Sequence, residues 1–131
     1  GNPLSMAAGI ATLEQLQAKD GALYGALDAK SQRFVDRLAA GGPPWLRARR
    51  VGSMVWPYFD EGPLPASAAG VSDKAVARFN AMYRPLLDRG FYLPPSAYEI
   101  LFVARDHSEA DLDALADAMI AVAADLPAAL R

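Results

Sequence analysis

The chain predicts an α+β domain, with helices packed on one face of a small, mainly antiparallel sheet. Two observations carry this. Stretches 22–39, 72–87 and 108–126 repeat apolar residues at helical spacing, whereas 49–59 and 98–104 are short apolar runs of strand length. Gly and Pro separate them, giving the order helix, helix, strands, helix, strand, strand, helix, with no repeat and no low-complexity tail. With 131 residues there is room for one domain and a modest core.

Each element has a local reason. Asn2 is a good N-cap and Pro3 suits the first helical position, where its missing N–H costs nothing. The helix they start runs to about Leu16 and is apolar on most sides (Leu4, Ala7, Ala8, Ile10, Ala11, Leu13), so it expects cover all round. Lys19-Asp20-Gly21 should break it. A second helix over 22–39 sets Leu23, Leu27, Phe34 and Leu38 on one face, and Gly41-Gly42-Pro43-Pro44 ends it. Residues 49–59 form one or two strands with Val51, Ser53 and Val55 on one face and Pro57 at an edge or strand end. Residues 61–70, rich in Pro, Ala and Gly, are a loop. Ser72 caps a third helix that turns Val76, Phe79, Tyr83 and Leu86 or Leu87 inward, and Pro85 should kink or shorten it. After Gly90 come a short strand at 91–93 and a buried strand at 98–104. Ser108, with Asp111 three residues on, opens the last helix, whose inner stripe is Leu112, Leu115, Met119, Val122 and Leu126.

Composition narrows the functions. The chain is 53% hydrophobic and 21% charged, as folded proteins are, and its net charge of −2 gives no field favouring nucleic acid or an anionic membrane. With no cysteine there is no disulfide, no thiol nucleophile and no cysteine-ligated metal. The most apolar stretch, 114–124, contains Asp117 and falls short of the ~20 residues a spanning helix needs. The first Met lies at position 6, inside a helix start, so the chain reads as a piece of something longer.

Among chemistry-bearing residues Glu99 stands out, a carboxylate at the head of the apolar run Ile100-Leu101-Phe102-Val103-Ala104, where desolvation would need a partner. The bland alternative is a strand-end carboxylate in solvent or in an ion pair. His107, the one histidine, precedes an N-cap, and Asp106 and Ser108 beside it lack the spatial logic of a triad. Lys19, Lys30 and Lys74 sit in polar surface contexts, unlike a Schiff-base lysine, which is desolvated. Arg47, Arg49 and Arg50 are too small a basic footprint for nucleic acid. Asp111, Asp113 and Asp117 lack calcium-loop spacing, and no metal site is expected.

Three motifs in register add a resemblance. Gly1-Asn2-Pro3-Leu4-Ser5-Met6-Ala7-Ala8-Gly9 opens the chain, and Val51-Gly52-Ser53-Met54 leading to Phe59 follows. The third is Arg89-Gly90-Phe91-Tyr92-Leu93-Pro94-Pro95-Ser96-Ala97-Tyr98-Glu99, continuing through Phe102-Val103 to His107-Ser108. Together they resemble the glutamate-1-semialdehyde 2,1-aminomutases, isomerases of the class III pyridoxal-phosphate aminotransferase group. The resemblance implies the C-terminal small domain of a fold type I enzyme, with 1–18 a helix leading into the domain and 19–131 the domain itself. It implies a parent that converts glutamate-1-semialdehyde to 5-aminolevulinate for tetrapyrrole synthesis.

In that family the Pro-Ser-x-x-Glu carboxylate lies near the substrate and pairs with an Arg from the N-terminal region. The resemblance therefore makes Glu99, with Ser96, substrate-proximal. The family's cofactor lysine and phosphate-binding Thr lie upstream of Gly-Asn-Pro. Pyridoxal 5'-phosphate would thus belong to the full-length parent, with no cofactor bound and no catalytic residue in this chain. Partners implied are the N-terminal remainder and, at full length, a second copy in a homodimer, in the cytoplasm, without nucleic acid or membrane. Val55-Trp56-Pro57-Tyr58 and Pro85 depart from the family's pattern. Two alternatives remain: the same domain of a class III omega-type transaminase, and a non-catalytic interaction module docking through its first helix.

Overall fold

A computed structural model describes residues 1–18 and 21–131 in full, and for Lys19 and Asp20 only the helix that contains them. It bears out the α+β class. Helix α1 (Pro3–Gly41) leads into a hairpin of β1 (Arg47–Val51) and β2 (Met54–Tyr58). A short 3-10 turn (Ala68–Gly70), α2 (Asp73–Asp88), β3 (Leu101–Phe102) and α3 (Glu109–Asp125) follow. The sheet has the order β1-β2-β3 and is antiparallel throughout.

The two expected N-terminal helices are one. Asn2 caps α1, its side chain accepting from the Leu4 N–H at 2.9 Å. Of the expected break, Lys19 and Asp20 lie outside the described side chains. Gly21 does enter the left-handed region, with φ of 78°. Lacking a Cβ, it absorbs that torsion, and the helix formers on either side carry the helix onward. The end near Gly41-Gly42 is as expected, the Gly42 N–H donating to Leu38 O at 2.8 Å. The buried side of α1 begins late: residues 1–15 are all exposed, whereas Ser31, Phe34 and Leu38 are buried.

The hairpin corrects the expected facing of 49–59. Gly52 and Ser53 form a two-residue turn between paired Val51 and Met54, and Gly52 takes φ of 56°, a conformation such turns require. Val51 is therefore 68% exposed while Val55 is buried. Val55 and Pro57 face the helices, as does Arg50, which pairs with Val55 and reaches Asp28 and Gln32 of α1. Met54 and Trp56 lie on the other face, beneath the 65–71 segment.

The strand expected at 98–104 shrinks to Leu101–Phe102, and none forms at 91–93. Proline explains both. The β2–β3 register pairs Val55 with Leu101, so its extension would set Pro57 opposite Glu99, and proline has no N–H for a ladder. Pro57 is at an edge, as expected, because β3 stops short of it. Pro94 and Pro95 likewise withhold donors from the segment after 91–93.

The other helices follow their signals. Ser72 Oγ accepts from Ala75 N at 3.0 Å, and α2 runs through Pro85 to Asp88 instead of stopping. Its buried residues are Ala75, Arg78, Phe79, Met82 and Leu86, with Val76 and Tyr83 at the margin. Ser108 and Asp111 make the capping box of α3, whose Leu112, Met119, Val122 and Leu126 enter the core with Ala116 and Ala123, leaving Leu115 half-buried. Arg33–Asp113 and Arg37–Asp117 forks join α1 to α3, the second at 2.7 Å through both nitrogens.

Candidate functional site

Glu99 closes a turn, and this is where the structure departs most from the desolvated carboxylate the sequence suggested. The Glu99 N–H donates to Ser96 O at 3.2 Å, and the Tyr98 N–H to Ser96 Oγ at 3.2 Å. Ser96 and Glu99 are thus brought together, with Ser96 half-buried and Glu99 exposed. The run behind Glu99 is only partly buried, Ile100 and Phe102 being exposed and Val103 buried. Water therefore solvates the carboxylate, and among the described residues it has no ion-pair partner.

The turn is tied down from two sides. Ala97 is buried, and its carbonyl accepts from Trp56 Nε1 at 2.9 Å. Leu93, Pro94, Ser96 and Glu99 border a crevice with Phe59 and Phe79. Tyr83 of α2 stands close by. Partial burial raises its phenol above the ordinary value, and neighbouring Tyr92 and the Glu99 charge push the same way. The result is an exposed anion on a braced turn, free to accept charge-assisted hydrogen bonds from a cationic partner.

The remaining candidates are occupied locally. His107 Nδ1 accepts from the Ala104 N–H at 3.1 Å, and Ser108 Oγ donates to Asp111 Oδ2 at 2.6 Å, so no nucleophile–base pair exists there. The Ser108 hydrogen bonds hold the Asp111 carboxyl below the usual range. Lys30 Nζ donates to the carbonyls of Arg105 and His107 at 2.9 and 2.7 Å, and Lys74 is exposed at the start of α2. Neither lines the clefts of about 300 and 380 Å³ that border the sheet, and the Lys19 side chain lies outside the described residues. Of the described lysines, none is thus placed as the desolvated amine that the aldehyde of pyridoxal phosphate needs. Among them no group of acidic and histidine side chains could hold a metal ion, and no helix is long and apolar enough to cross a membrane.

Of the basic run, Arg47 donates to Glu61 O at 3.2 Å and to Gly62 O, Arg50 is held by α1, and Arg49 is exposed.

Sequence reading missed Arg78. It is fully buried, with Nε on Leu130 O at 2.6 Å, Nη1 on Phe59 O at 3.1 Å and Asp60 Oδ1 at 3.4 Å, and its guanidinium carbon 4.4 Å from the Trp45 ring centroid. Its signal was available: position 78 lies on the inner stripe of α2 with 75, 79, 82 and 86. The arrangement fastens the C-terminus to the segment after β2 and borders no cleft. Ser72, through its hydroxyl, is the main cause of the lowered Asp60 carboxyl, with Arg78 contributing.

No protein-family profile matches the chain. Over 131 residues it is 40% identical to a glutamate-1-semialdehyde 2,1-aminomutase of Desulfosudis oleivorans, a match covering 96% of this chain and 30% of that protein. The chain thus spans under a third of the length of the curated relative it matches.

Proposed function

We propose that this chain is the C-terminal domain of a glutamate-1-semialdehyde 2,1-aminomutase. The parent would move an amino group between adjacent carbons of one substrate, yielding 5-aminolevulinate for tetrapyrrole synthesis. The observation that carries the reading is the 40% identity over 96% of the chain to a protein of that name. It is supported by the exposed Glu99 on its braced Pro-Ser-x-x-Glu turn, a carboxylate that no described residue neutralises.

The chain's own share is positional. Glu99 would attract and orient the amino group of the substrate, or an Arg from elsewhere in the parent, and Ser96 holds the backbone that presents it. Pyridoxal 5'-phosphate supplies the electron sink when bound, held by residues outside this chain. In the parent, residues 1–18 lead into the domain, and 19–131 form the domain that closes over the site. The rest of the longer chain would cover Leu4, Ile10 and Leu13, and the whole would work as a cytoplasmic homodimer.

The test is to express the full product of the gene and supply glutamate-1-semialdehyde without an external amino donor. Formation of 5-aminolevulinate is expected, and Glu99→Gln should raise KM by about tenfold, the worth of one charged hydrogen bond. Turnover only with a second amino donor or acceptor would overturn the mutase reading and leave a class III transaminase.

A further inference from the structure

The segment after α2 carries Glu99 with little regular structure to hold it. Phe91 N–H donates to Leu86 O at 3.0 Å, closing the end of α2, and the next ladder begins only at Leu101. Between them stand two prolines without N–H groups, and the turn at Ser96 bonds within itself. Among the described residues, the Trp56 Nε1–H to Ala97 O bond at 2.9 Å is the one hydrogen bond that joins 93–99 to the rest of the fold.

The donor is well fixed. Trp56 lies in β2, paired with Arg49 of β1, and its ring is tilted against Tyr58 with centroids 5.3 Å apart. The acceptor lies two residues from Glu99, across a turn closed by Glu99's own N–H. Motion of the Ala97 carbonyl therefore carries the Glu99 backbone, from which the carboxylate projects.

We propose that Trp56 is a positioning residue for Glu99, its indole N–H holding the Ser96–Glu99 turn in the geometry that presents the carboxylate. The functional weight of this role rests on the reading of Glu99 given above. Trp56→Phe is the test: it keeps an aromatic ring and removes the N–H donor together with part of the bicycle, and 3-benzothienylalanine at position 56, which keeps both rings and lacks the N–H, should act alike. By NMR on this chain, the Trp56 indole proton should exchange slowly. In Trp56→Phe, backbone order parameters at 96–99 should fall while amides of Val55 and Met82 stay protected. Unchanged order at 96–99 would overturn the proposal whatever the activity.

In the full-length gene product, Trp56→Phe should raise KM about 2- to 10-fold with kcat little changed, and the effect should vanish in a Glu99→Gln background. Independent, multiplying effects would overturn the coupling to Glu99. A silent Glu99→Gln, with order still lost in Trp56→Phe, would instead overturn the functional reading of Glu99 and uphold the link between indole and turn.

Discussion

Leu13 and Phe34 belong to one helix and meet opposite fates. Leu13 is 58% exposed and Phe34 1%. The first part of α1, 3–18, carries a single charged residue, Glu14, and almost no packing. The last part interleaves Arg33, Asp36 and Arg37 with Phe34 and Leu38 and is bound to α3. The difference teaches that a cap and good helix formers settle backbone conformation, while stability comes from what an apolar face meets.

The sharpest way to break that comparison is truncation on either side. Phe34→Ala should cost about 3–5 kcal/mol in urea unfolding, through lost burial and the cavity left behind. Leu13→Ala should stay within about 0.5 kcal/mol, as exposed substitutions do. A comparable loss at Leu13 would mean that something covers that face in solution.

Caps give a smaller contrast. Ser108→Ala removes half of the capping box of a packed helix and should cost about 1 kcal/mol. Asn2→Ala removes a similar cap from an end whose residues 1–15 are all exposed, so global stability should move by only about 0.2 kcal/mol. Thermal melts of the two variants decide between these outcomes.

Acid provides the mildest probe. Hydrogen bonds from Arg33 and Arg37 lower the Asp113 and Asp117 carboxyls below the ordinary 3.8 in the folded state. The unfolded chain then binds protons more readily, so their contribution is present above pH 3.8 and is lost as pH falls through the lower folded values. Unfolding midpoints should decline in that window, and Arg37→Gln should flatten part of the decline. High salt should shrink the effect, because these pairs are largely solvated.

Much of the fold was legible. Asn2, Ser72 and Ser108 each cap as their residue types dictate, and the inner stripes of α2 and α3 follow helical spacing. The α1 junction, the hairpin facing and the shortened β3 were not. Gly21 can serve a helix end or a bend alike, and the two-residue turn at Gly52-Ser53 breaks the unbroken alternation that would put Val51 and Val55 on one face. For the candidate site, the motif drew attention to Glu99 and Ser96, but their turn, its exposure and its tie to Trp56 required contacts between distant residues. Arg78 was hidden because a cation on an inner stripe is costly until its carbonyls and Trp45 are in place.

What the sequence alone determined is the α+β class, the caps and the apolar stripes, because these depend on torsions and spacings within one or two turns of chain. Only the tertiary structure decided that Arg78 is buried, that Glu99 is solvated and that Trp56 braces its turn. Burial and hydrogen-bond satisfaction depend on which distant atoms arrive, and no local pattern contains that.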